Sequence, residues 1–392
     1  MTARVPTLSL DEIERYGRHL VLPEVGLQGQ ERLKAGSVLV VGAGGLGSPI
    51  SLYLAAAGVG RIVLVDFDRV EGSNLQRQIL YGQKDLGRLK VDAAAERLRD
   101  LNPGVDVDAR PIRFGADNAA ELLAGVDLVL DGTDNFPTRY LINDACVLHG
   151  KPFVYGSIYR FEGQAAIFAA PGGPCYRCLF PEPPPDGLVP NCAEGGVLGV
   201  LPGMIGSIQA SEAIKFLVGA GQTLVGRLLV LDALSMRVRE VRVPPDPLCP
   251  VCGREPRIRE LREETMTCEA SEMASDEMAS EMTSTDFPTD LSVEELAEWR
   301  RGSTSLQLVD VRMPVEWEIA RLDGAVLVPL QELEERLGEL DPSRPTVVYC
   351  HVGGRSAAAA RFLRGQGFER VANLTGGIHA WSLRVDPNVP RY

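Results

Sequence analysis

Short apolar runs alternate with helical patterns in the first part of the chain. Residues 37–42, 61–66 and 127–131 are short and mainly apolar, which is typical of buried strands, and residues 50–57 have a helical pattern. Strands separated by helices favour right-handed crossovers and a mainly parallel sheet. This order predicts a Rossmann-like α/β domain.

A second set of strand and helix patterns begins near Leu291 and predicts a smaller α/β domain. Its predicted strands are residues 306–311 and 346–350, and its predicted helices are residues 356–364 and 378–383. The segment between the two domains is rich in Glu, Ser, Thr and Met and lacks a strong apolar period, so we expect a flexible acidic linker. The predicted division is residues 1–262, 263–289 and 290–392.

The bulk composition narrows the class of protein. The chain has 392 residues, of which 45% are hydrophobic and 24% charged, as in ordinary globular domains. Its net charge of −13 argues against direct nonspecific binding of nucleic acid, which normally requires a basic excess. Residues 1–14 lack the apolar core of a signal peptide, and no apolar run reaches the length of a membrane span. We therefore expect a cytoplasmic protein that does not bind membranes.

A glycine-rich motif lies between the first predicted strand and the helix after it. Gly42, Gly44, Gly45 and Gly47 form the pattern G-x-G-x-x-G, which brings backbone amides and a helix N-terminus close to phosphate groups. Asp66 ends the next strand, where a ribose-binding carboxylate is commonly found. Taken alone, this pattern equally predicts an NAD- or FAD-dependent oxidoreductase.

Further polar residues follow the motif and favour a triphosphate over a nicotinamide. They include two cations, amides and acids: Asp68, Asn74, Arg77, Gln78, Lys90, Asp134 and Asn135. A triphosphate needs its charge neutralised when a negative carboxylate approaches the α-phosphorus, and Lys, Arg and an acid-bound Mg²⁺ supply that. Each residue alone is typical of a surface charge, so the prediction depends on the cluster.

Two C-x-x-C pairs predict a metal site. In a large chain expected to be cytoplasmic, cysteines indicate metal or thiol chemistry before structural disulfides. The pairs are Cys175 with Cys178 and Cys249 with Cys252. Four thiolates complete a tetrahedron around Zn²⁺ and leave no position for water, so we expect a structural zinc. Two unrelated thiol pairs, one of them redox-active, are the alternative.

The last of the eight cysteines, Cys350, stands at the start of a predicted helix. Cys350 follows a strand and opens the segment Cys-His-Val-Gly-Gly-Arg-Ser, residues 350–356. Backbone amides and the positive end of a helix dipole favour a thiolate and would stabilise a persulfide anion, and Arg355 adds positive charge. We expect a reactive thiol; an inert cysteine that ends a core strand is the alternative. Cys146 is predicted to lie in the core, and Cys268 has no assigned role.

Residues 10–256 resemble the adenylating enzymes related to ubiquitin-activating enzyme. The nearest branch is the activators of the molybdopterin-synthase and thiamin sulfur carriers. The resemblance is carried by residues 15–19, the glycine motif, residues 66–78, Lys90 and residues 131–135. It implies an enzyme that uses ATP to convert the C-terminal carboxylate of a small ubiquitin-like protein, ending in Gly-Gly, into an acyl-adenylate.

The resemblance also implies roles for individual residues. Asp66 would bind the ribose, and Asp134 would hold Mg²⁺. The phosphates would be contacted by Asn74, Arg77 and Lys90. Arg18 would reach the ATP of a neighbouring subunit, which implies a homodimer.

Cys192 lies between the two C-x-x-C pairs, in the segment 191–196. In related activators that carry rhodanese domains, a cysteine here is thought to bond covalently to the substrate. The resemblance thus implies a thioester or disulfide at Cys192, and a buried inert thiol is the alternative. The proline-rich run at residues 180–190 predicts a mobile loop over the site.

Residues 290–392 resemble single-domain rhodaneses. The matching pieces are residues 308–312, Gly324-Ala325, the Cys350 loop and residues 373–381. The family usually has Gly-His shortly before Gly324, whereas this chain has residues 320–323, Ala-Arg-Leu-Asp, which we interpret as a structural variation. By analogy, the six-residue span from Cys350 to Arg355 suits sulfur better than a larger oxyanion.

The two motif sets suggest one joined reaction. After adenylation, a persulfide on Cys350 would attack the acyl-adenylate, and a second thiol such as Cys192 would release a thiocarboxylate. A cysteine desulfurase or thiosulfate would supply the sulfur. The alternatives left open are the oxidoreductase, a non-catalytic scaffold that docks a sulfur carrier, and an enzyme whose product is a protein conjugate.

Overall fold

A computed structural model describes residues 7–184, 196–262, 287–301 and 306–392. These residues divide into two units, one made of residues 7–184 and 196–262 and the other of residues 287–301 and 306–392. Of the predicted linker, residues 263–289, the part from 263 to 286 lies outside the described residues. In the described part of the chain, no helix is both long enough and apolar enough to cross a membrane.

The predicted strands form the centre of an eight-stranded sheet in the first unit. Its strands are β1 (Ser37–Val41), β2 (Arg61–Val65), β3 (Asp106–Arg110), β4 (Leu128–Asp131), β5 (Phe153–Tyr159), β6 (Glu162–Phe168), β7 (Arg227–Asp232) and β8 (Arg237–Arg242). The strand order is β3-β2-β1-β4-β5-β6-β7-β8. The first five strands pair in parallel, and β6 to β8 extend the sheet in antiparallel fashion. The predicted α/β class is confirmed.

Helices cover both faces of this sheet. They are α1 (Leu10–Leu20), α2 (Gly26–Ala35), α3 (Gly47–Ala57), α4 (Lys90–Leu101), α5 (Ala119–Leu123), α6 (Phe136–Leu148), α7 (Tyr176–Leu179) and α8 (Leu201–Val218). Local sequence explains their ends. Ser9 caps α1 by accepting a hydrogen bond from the Glu12 amide, and α3 ends at Gly58, whose φ of 80° suits glycine.

The core of the first unit lies on both faces because successive strand residues point to opposite sides. Val38 and Val40 of β1 pack with α3 and α8 on one face. Leu39 and Val41 pack with α5 and α6 on the other face. All four are at most 3% exposed, and burial of each such side chain contributes about 1.5–3 kcal/mol. This explains why the strand is an uninterrupted apolar run.

The strand order reverses direction beside β1. From β1 the chain builds β2 and β3 on one side, and it then returns to place β4 on the other side of β1. Such a reversal opens a crevice outside the carboxyl ends of the parallel strands, where ligands of this fold class bind. The glycine motif follows β1, so it lies at this crevice.

The second unit contains a five-stranded sheet in which every described pair is parallel. Its strands are β9 (Asp290–Leu291), β10 (Gln307–Asp310), β11 (Ala325–Leu327), β12 (Thr346–Tyr349) and β13 (Val371–Leu374), in the order β11-β10-β12-β13-β9. Its helices are α9 (Val293–Arg301), α10 (Pro314–Ile319), α11 (Gly354–Gly365) and α12 (Gly377–Arg384). Two apolar clusters, one on each face, form its core. The predicted second α/β domain is confirmed.

Candidate functional site

The glycine motif forms a tight turn after β1. Gly42 has a φ of 92°, and a Cβ atom there would lie 2.8 Å from the Gly132 carbonyl oxygen. A Cβ on Gly47 would lie 1.9 Å from the Gly42 carbonyl oxygen, so neither position accepts a side chain. At Gly44, by contrast, the Gln78 amide nitrogen at 3.7 Å is the nearest neighbour within the described residues. The outer surface of the turn is therefore open to a ligand.

Asp66 ties the turn to the end of β2. Its carboxylate accepts hydrogen bonds from the backbone amides of Ala43 and Asp68, both at 2.8 Å. Burial raises the pKa of Asp66, and the charge of Lys90 opposes that shift. The acid predicted to bind ribose thus lies at the glycine motif and has a cation nearby; its ribose contact stays a prediction.

Lys90 is buried, unlike most lysines, with only 7% of its side chain exposed. It begins α4, and its ammonium lies 2.8 Å from a carboxylate oxygen of Asp68, whose side chain is half exposed. This position excludes the interpretation of Lys90 as a surface charge. A buried cation beside a phosphate-binding turn can neutralise an anionic ligand.

Three further predicted residues, Asn74, Arg77 and Gln78, lie in the segment between β2 and α4. Asn74 is buried, and its side-chain oxygen accepts a hydrogen bond from the Glu71 amide at 3.1 Å. The Arg77 side chain lies near Gly45 and donates to the Ser73 carbonyl at 3.1 Å. Gln78 is 4% exposed.

The Gln78 side-chain oxygen is buried and has no hydrogen-bond partner within the described residues. Leaving such a group unsatisfied costs about 1–3 kcal/mol. A ligand that brings a hydrogen-bond donor, such as a hydroxyl group or a water molecule, would relieve this cost. The charge of a nucleotide phosphate would instead be matched by the buried Lys90 ammonium.

The loop after β4 carries Asp134 and Asn135. Its conformation depends on Asp131, which is fully buried and accepts hydrogen bonds from the Thr133 amide at 2.9 Å and from Arg139 Nε at 3.0 Å. Asn135 caps α6 through the Thr138 amide at 2.9 Å. Asp134 is exposed at the tip, and its role in holding Mg²⁺ stays a prediction.

Arg139 was missed by sequence reasoning although it holds this loop. Besides Asp131, it donates to the carbonyl oxygens of Thr133 and Gly156 at 3.2 and 3.3 Å. A signal existed, since Arg139 lies one helical turn after Asn135 on a helix that begins at the loop. The sequence alone did not show that its guanidinium turns back into the protein.

Two predicted residues are not brought to this site by the described contacts. Arg18 is exposed on α1, and no described hydrogen bond or ion pair of this chain joins it to the glycine motif. Residues 185–195 lie outside the described residues, and they include Cys192 and residues 185–190 of the proline-rich run. Their roles stay predictions. Cys146, predicted to lie in the core, is fully buried in α6.

The four cysteines of the C-x-x-C pairs converge. Their sulfur atoms all lie within 4.8 Å of one another. The Cys175–Cys249 and Cys178–Cys252 sulfur pairs are each 3.4 Å apart, near the separation of about 3.8 Å that tetrahedral zinc thiolates require. Hydrogen bonds to the neighbouring thiols lower the pKa of Cys178. The geometry therefore fits a metal ion held by four thiolates.

The first cysteine pair is anchored to α6. Arg177 forms a buried, two-pronged ion pair with Asp144, with both N–O distances at 2.8 Å. The Tyr176 amide donates to the Asn143 side chain at 2.7 Å. Because α6 begins at Asn135, one helix connects the thiol cluster with the Asp134 loop.

The second unit presents the thiol of Cys350 in a loop between β12 and α11. The thiol is fully buried, and its sulfur accepts hydrogen bonds from the Gly353 amide at 3.1 Å and the Ser356 hydroxyl at 3.4 Å. Gly353 has a φ of 107°, which favours glycine. The loop is also held from behind, because the Ile378 amide donates to the Cys350 carbonyl at 3.0 Å. One backbone amide, that of Gly353, therefore faces the sulfur, and the reactivity of the thiol stays a prediction.

Arg355 has a partner that sequence reasoning missed. Its guanidinium contacts both carboxylate oxygens of Glu316 in α10, at 2.7 and 2.8 Å. The positive charge expected from Arg355 is therefore balanced by an acid from a different element. Nothing in the residues near Cys350 indicated that pair.

The segment that departs from the rhodanese pattern packs into the core. Ala320 and Leu322 are 6% and 2% exposed. The Ala320 carbonyl accepts a hydrogen bond from Arg312 at 2.7 Å, and the Leu322 amide donates to the Tyr349 hydroxyl at 3.2 Å. These contacts support the interpretation of a structural variation.

Two family models match the chain. One is the ThiF family, over residues 16–251, and the other is the rhodanese-like domain, over residues 292–384. The first match includes the glycine motif and three of the four clustered cysteines, all but Cys252. The second match includes the Cys350 loop.

Two similar proteins match nearly the whole chain, and a third matches about two thirds of it. A protein of Mycobacterium tuberculosis named "Probable adenylyltransferase/sulfurtransferase MoeZ" is 47% identical over 98% of this chain and 96% of its own length. The pig protein "Adenylyltransferase and sulfurtransferase MOCS3" is 44% identical over 98% of this chain and 89% of its own. The "Sulfur carrier protein adenylyltransferase" of Thermus thermophilus is 57% identical over 64% of this chain and 94% of its own.

A solved structure shares the fold of the first unit. It is the crystal structure of Escherichia coli MccB with a peptide, MccA-N7isoASN, with a TM-score of 0.56 at 20% identity. The match covers 61% of this chain and 74% of that one. At this identity the likeness shows the fold alone.

Proposed function

Because this chain belongs to the ThiF family and carries a rhodanese-like domain, we propose that it is an ATP-dependent adenylyltransferase and sulfurtransferase of sulfur-carrier proteins. Its substrate is the C-terminal Gly-Gly carboxylate of a small ubiquitin-like protein, and its product is a thiocarboxylate. One observation carries the proposal. In one unit, the buried Lys90 lies beside an open glycine turn, and in the other, the Cys350 sulfur accepts a hydrogen bond from a backbone amide.

Adenylation is the work of the first unit. Asp66 binds the ribose of ATP, and Asn74, Arg77 and Lys90 contact the phosphates. The carrier carboxylate attacks the α-phosphorus, and pyrophosphate leaves. Because charge accumulates on the phosphates, Lys90 and Arg77 stabilise the transition state more than the ground state.

Asp134 would hold Mg²⁺, which would supply neutralisation of the phosphate charge. Asp131 and Arg139 keep the Asp134 loop in place. The four clustered cysteines would hold Zn²⁺ in a structural role, because four thiolates leave no ligand position open.

Sulfur transfer is the work of Cys350. A donor, a cysteine desulfurase or thiosulfate, loads it as a persulfide, and the hydrogen bond from the Gly353 amide stabilises that anion. The terminal sulfur attacks the acyl-adenylate carbonyl, and AMP leaves. The thiolate of Cys192 then attacks the sulfur of Cys350, which releases the thiocarboxylate and leaves a disulfide that an external thiol reduces.

The competing classes explain less of the molecule. An NAD- or FAD-dependent oxidoreductase does not require the Lys90 site, the four-cysteine cluster or the Cys350 loop. A scaffold that only docks a carrier does not require an unsatisfied Gln78 beside an open glycine turn. The relatives that match nearly the whole chain are named as transferases.

Intact-mass spectrometry tests the proposal directly. A carrier ending in Gly-Gly is incubated with the protein, MgATP and thiosulfate, and a gain of about 16 Da is expected when sulfur replaces one carboxylate oxygen. Pyrophosphate exchange without the mass gain would retain adenylation and contradict the sulfur step. Several carriers that gave neither result would contradict both and favour the scaffold.

A further inference from the structure

Tyr392 covers the beginning of the Cys350 loop. Its ring stacks on the imidazole of His351, the residue after the thiol, with a centroid distance of 4.6 Å and an interplanar angle of 14°. His351 is 7% exposed, whereas Tyr392 is 37% exposed. The tyrosine thus forms the outer layer over a buried loop residue.

The Tyr392 hydroxyl also connects to the end of the loop. It donates a hydrogen bond to Glu316 Oε1 at 3.2 Å and accepts one from Arg312. Glu316 in turn holds Arg355, in the first turn of α11, through both carboxylate oxygens. One side chain therefore acts on both ends of the loop, by its ring at His351 and by its hydroxyl through Glu316.

The surroundings keep these groups in suitable protonation states. Burial raises the pKa of Tyr392 to about 12, so its hydroxyl stays protonated and donates. Burial, together with nearby His379, lowers the pKa of His351, which favours a neutral ring for stacking. Although burial opposes it, the hydrogen bond from Arg355 lowers the pKa of Glu316 and keeps it ionised.

Arg312 gives the hydroxyl a rigid support. It is fully buried and paired with Asp310, which is also fully buried, at the end of β10. It also donates to the Ala320 carbonyl at 2.7 Å. Tyr392 is therefore held against the end of β10, and its contacts restrict the movement of the Cys350 loop.

We propose that Tyr392 is a positioning residue for sulfur transfer at Cys350. It does not touch the sulfur. It holds His351 and Arg355 so that the loop between them keeps the Gly353 amide directed at the sulfur, 3.1 Å away. A donor already oriented toward a developing anion accelerates the reaction without a cost of reorganisation. The inference deepens the proposed function, since it rests on the sulfur step at Cys350.

The test measures transfer from thiosulfate to cyanide by the full-length protein. Sulfite leaves as Cys350 becomes a persulfide, and cyanide then removes the outer sulfur as thiocyanate. For Tyr392→Ala we expect kcat to fall about tenfold or more with KM nearly unchanged, as for loss of a positioned hydrogen bond. Tyr392→Phe keeps the stacking and loses the hydroxyl, so we expect a fall of about threefold.

A second readout separates positioning from general stability. The rate at which iodoacetamide alkylates Cys350 is measured against pH, and the midpoint should shift upward in Tyr392→Ala, because a misdirected amide stabilises the thiolate less. Arg391→Ala, at the exposed neighbouring residue, is the matched control and should leave kcat and the midpoint unchanged. Pyrophosphate exchange should be unaffected in all variants.

Wild-type kcat and a wild-type alkylation midpoint in folded Tyr392→Ala would overturn the inference. If Tyr392→Ala does not fold, Tyr392→Phe decides, and wild-type values of both quantities in that variant would overturn it. Failure of the proposed function is a separate result, since the wild-type protein itself would then form no thiocyanate.

Discussion

The two candidate sites use the same backbone device for different purposes. In each, a central parallel strand ends at a glycine-containing loop that leads into a helix, α3 in the first unit and α11 in the second. Around the glycine motif, the surface at Gly44 is open, and the Gln78 oxygen lacks a described partner. Around Cys350, the sulfur is buried and already accepts two hydrogen bonds.

This difference reflects where the charge originates. The first site receives its charge with a ligand, so it supplies a buried cation beside an open turn. The second site carries its own charge on a persulfide, so it supplies donors from a fixed backbone. We therefore expect the first site to depend on several side chains and the second to depend on one thiol and on what holds its loop.

Replacing the thiol should give the largest effect. Cys350→Ser should lower thiocarboxylate formation to below about 1% of wild type, because a hydroxyl cannot carry the persulfide. Pyrophosphate exchange should stay at the wild-type rate, since Cys350 takes no part in adenylation. Intact-mass spectrometry of the carrier and an exchange assay on the same preparation check this. Full sulfur transfer in the variant would remove the second site from the mechanism.

Removing the buried cation, Lys90, should affect the site at the glycine motif and leave the Cys350 site unchanged. Lys90→Ala should reduce pyrophosphate exchange about 100–1000-fold, because the transition-state charge loses a desolvated partner. Thiocyanate formation from thiosulfate should be unchanged. Lys84→Ala is the matched control, since Lys84 is 76% exposed and pairs only loosely with Glu96 at 3.6 Å. Equal losses in the two lysine variants would contradict the special role of Lys90.

Removal of the metal should lower the stability of the first unit and leave the activity of the second unit unchanged. We expect one zinc per chain, and Cys178→Ala should release it and lower the thermal unfolding midpoint of the first unit by several degrees, since the metal contributes to folding. Pyrophosphate exchange should fall with it, because α6 joins the cluster to the Asp134 loop. Thiocyanate formation should persist. Cys268→Ser should retain the zinc, and loss of zinc in that control would reassign the ligands.

The sequence was most informative where a residue type acts through its neighbours in the chain. The strands, both α/β folds and the Cys350 loop could be predicted from apolar runs and from local motifs. The four-cysteine cluster was also predictable, because matched C-x-x-C spacing is a local signature of a four-thiolate site.

The missed residues act across the fold. Arg139, Glu316 and Tyr392 each reach a functional loop from another element, and no local pattern reveals which way a guanidinium or a phenol turns. Lys90 could be located from sequence, but its burial could not, because burial depends on how α4 packs against the sheet. Side-chain direction is settled by tertiary packing, and the motifs carry no information on it.

The smallest expected effect tests whether the first site is shared between subunits. Arg18→Ala and Lys90→Ala should each reduce pyrophosphate exchange when expressed alone. Purification on both tags leaves only heterodimers, and each heterodimer has one of its two sites with both cations intact, so exchange should return to about half of wild type. Coexpression of differently tagged chains and an exchange assay on the doubly purified material measure this.

A matched mixture supplies the control for that recovery. Lys90→Ala and Asp134→Asn both alter the site within one subunit, so their heterodimers contain no intact site if both residues act in cis. That mixture should show no recovery, whereas the mixture containing Arg18→Ala should. Recovery in neither mixture, with heterodimers demonstrably formed, would place Arg18 in its own subunit's site. Both candidate sites would then be built from the residues of one chain, with no residue donated from a neighbouring subunit.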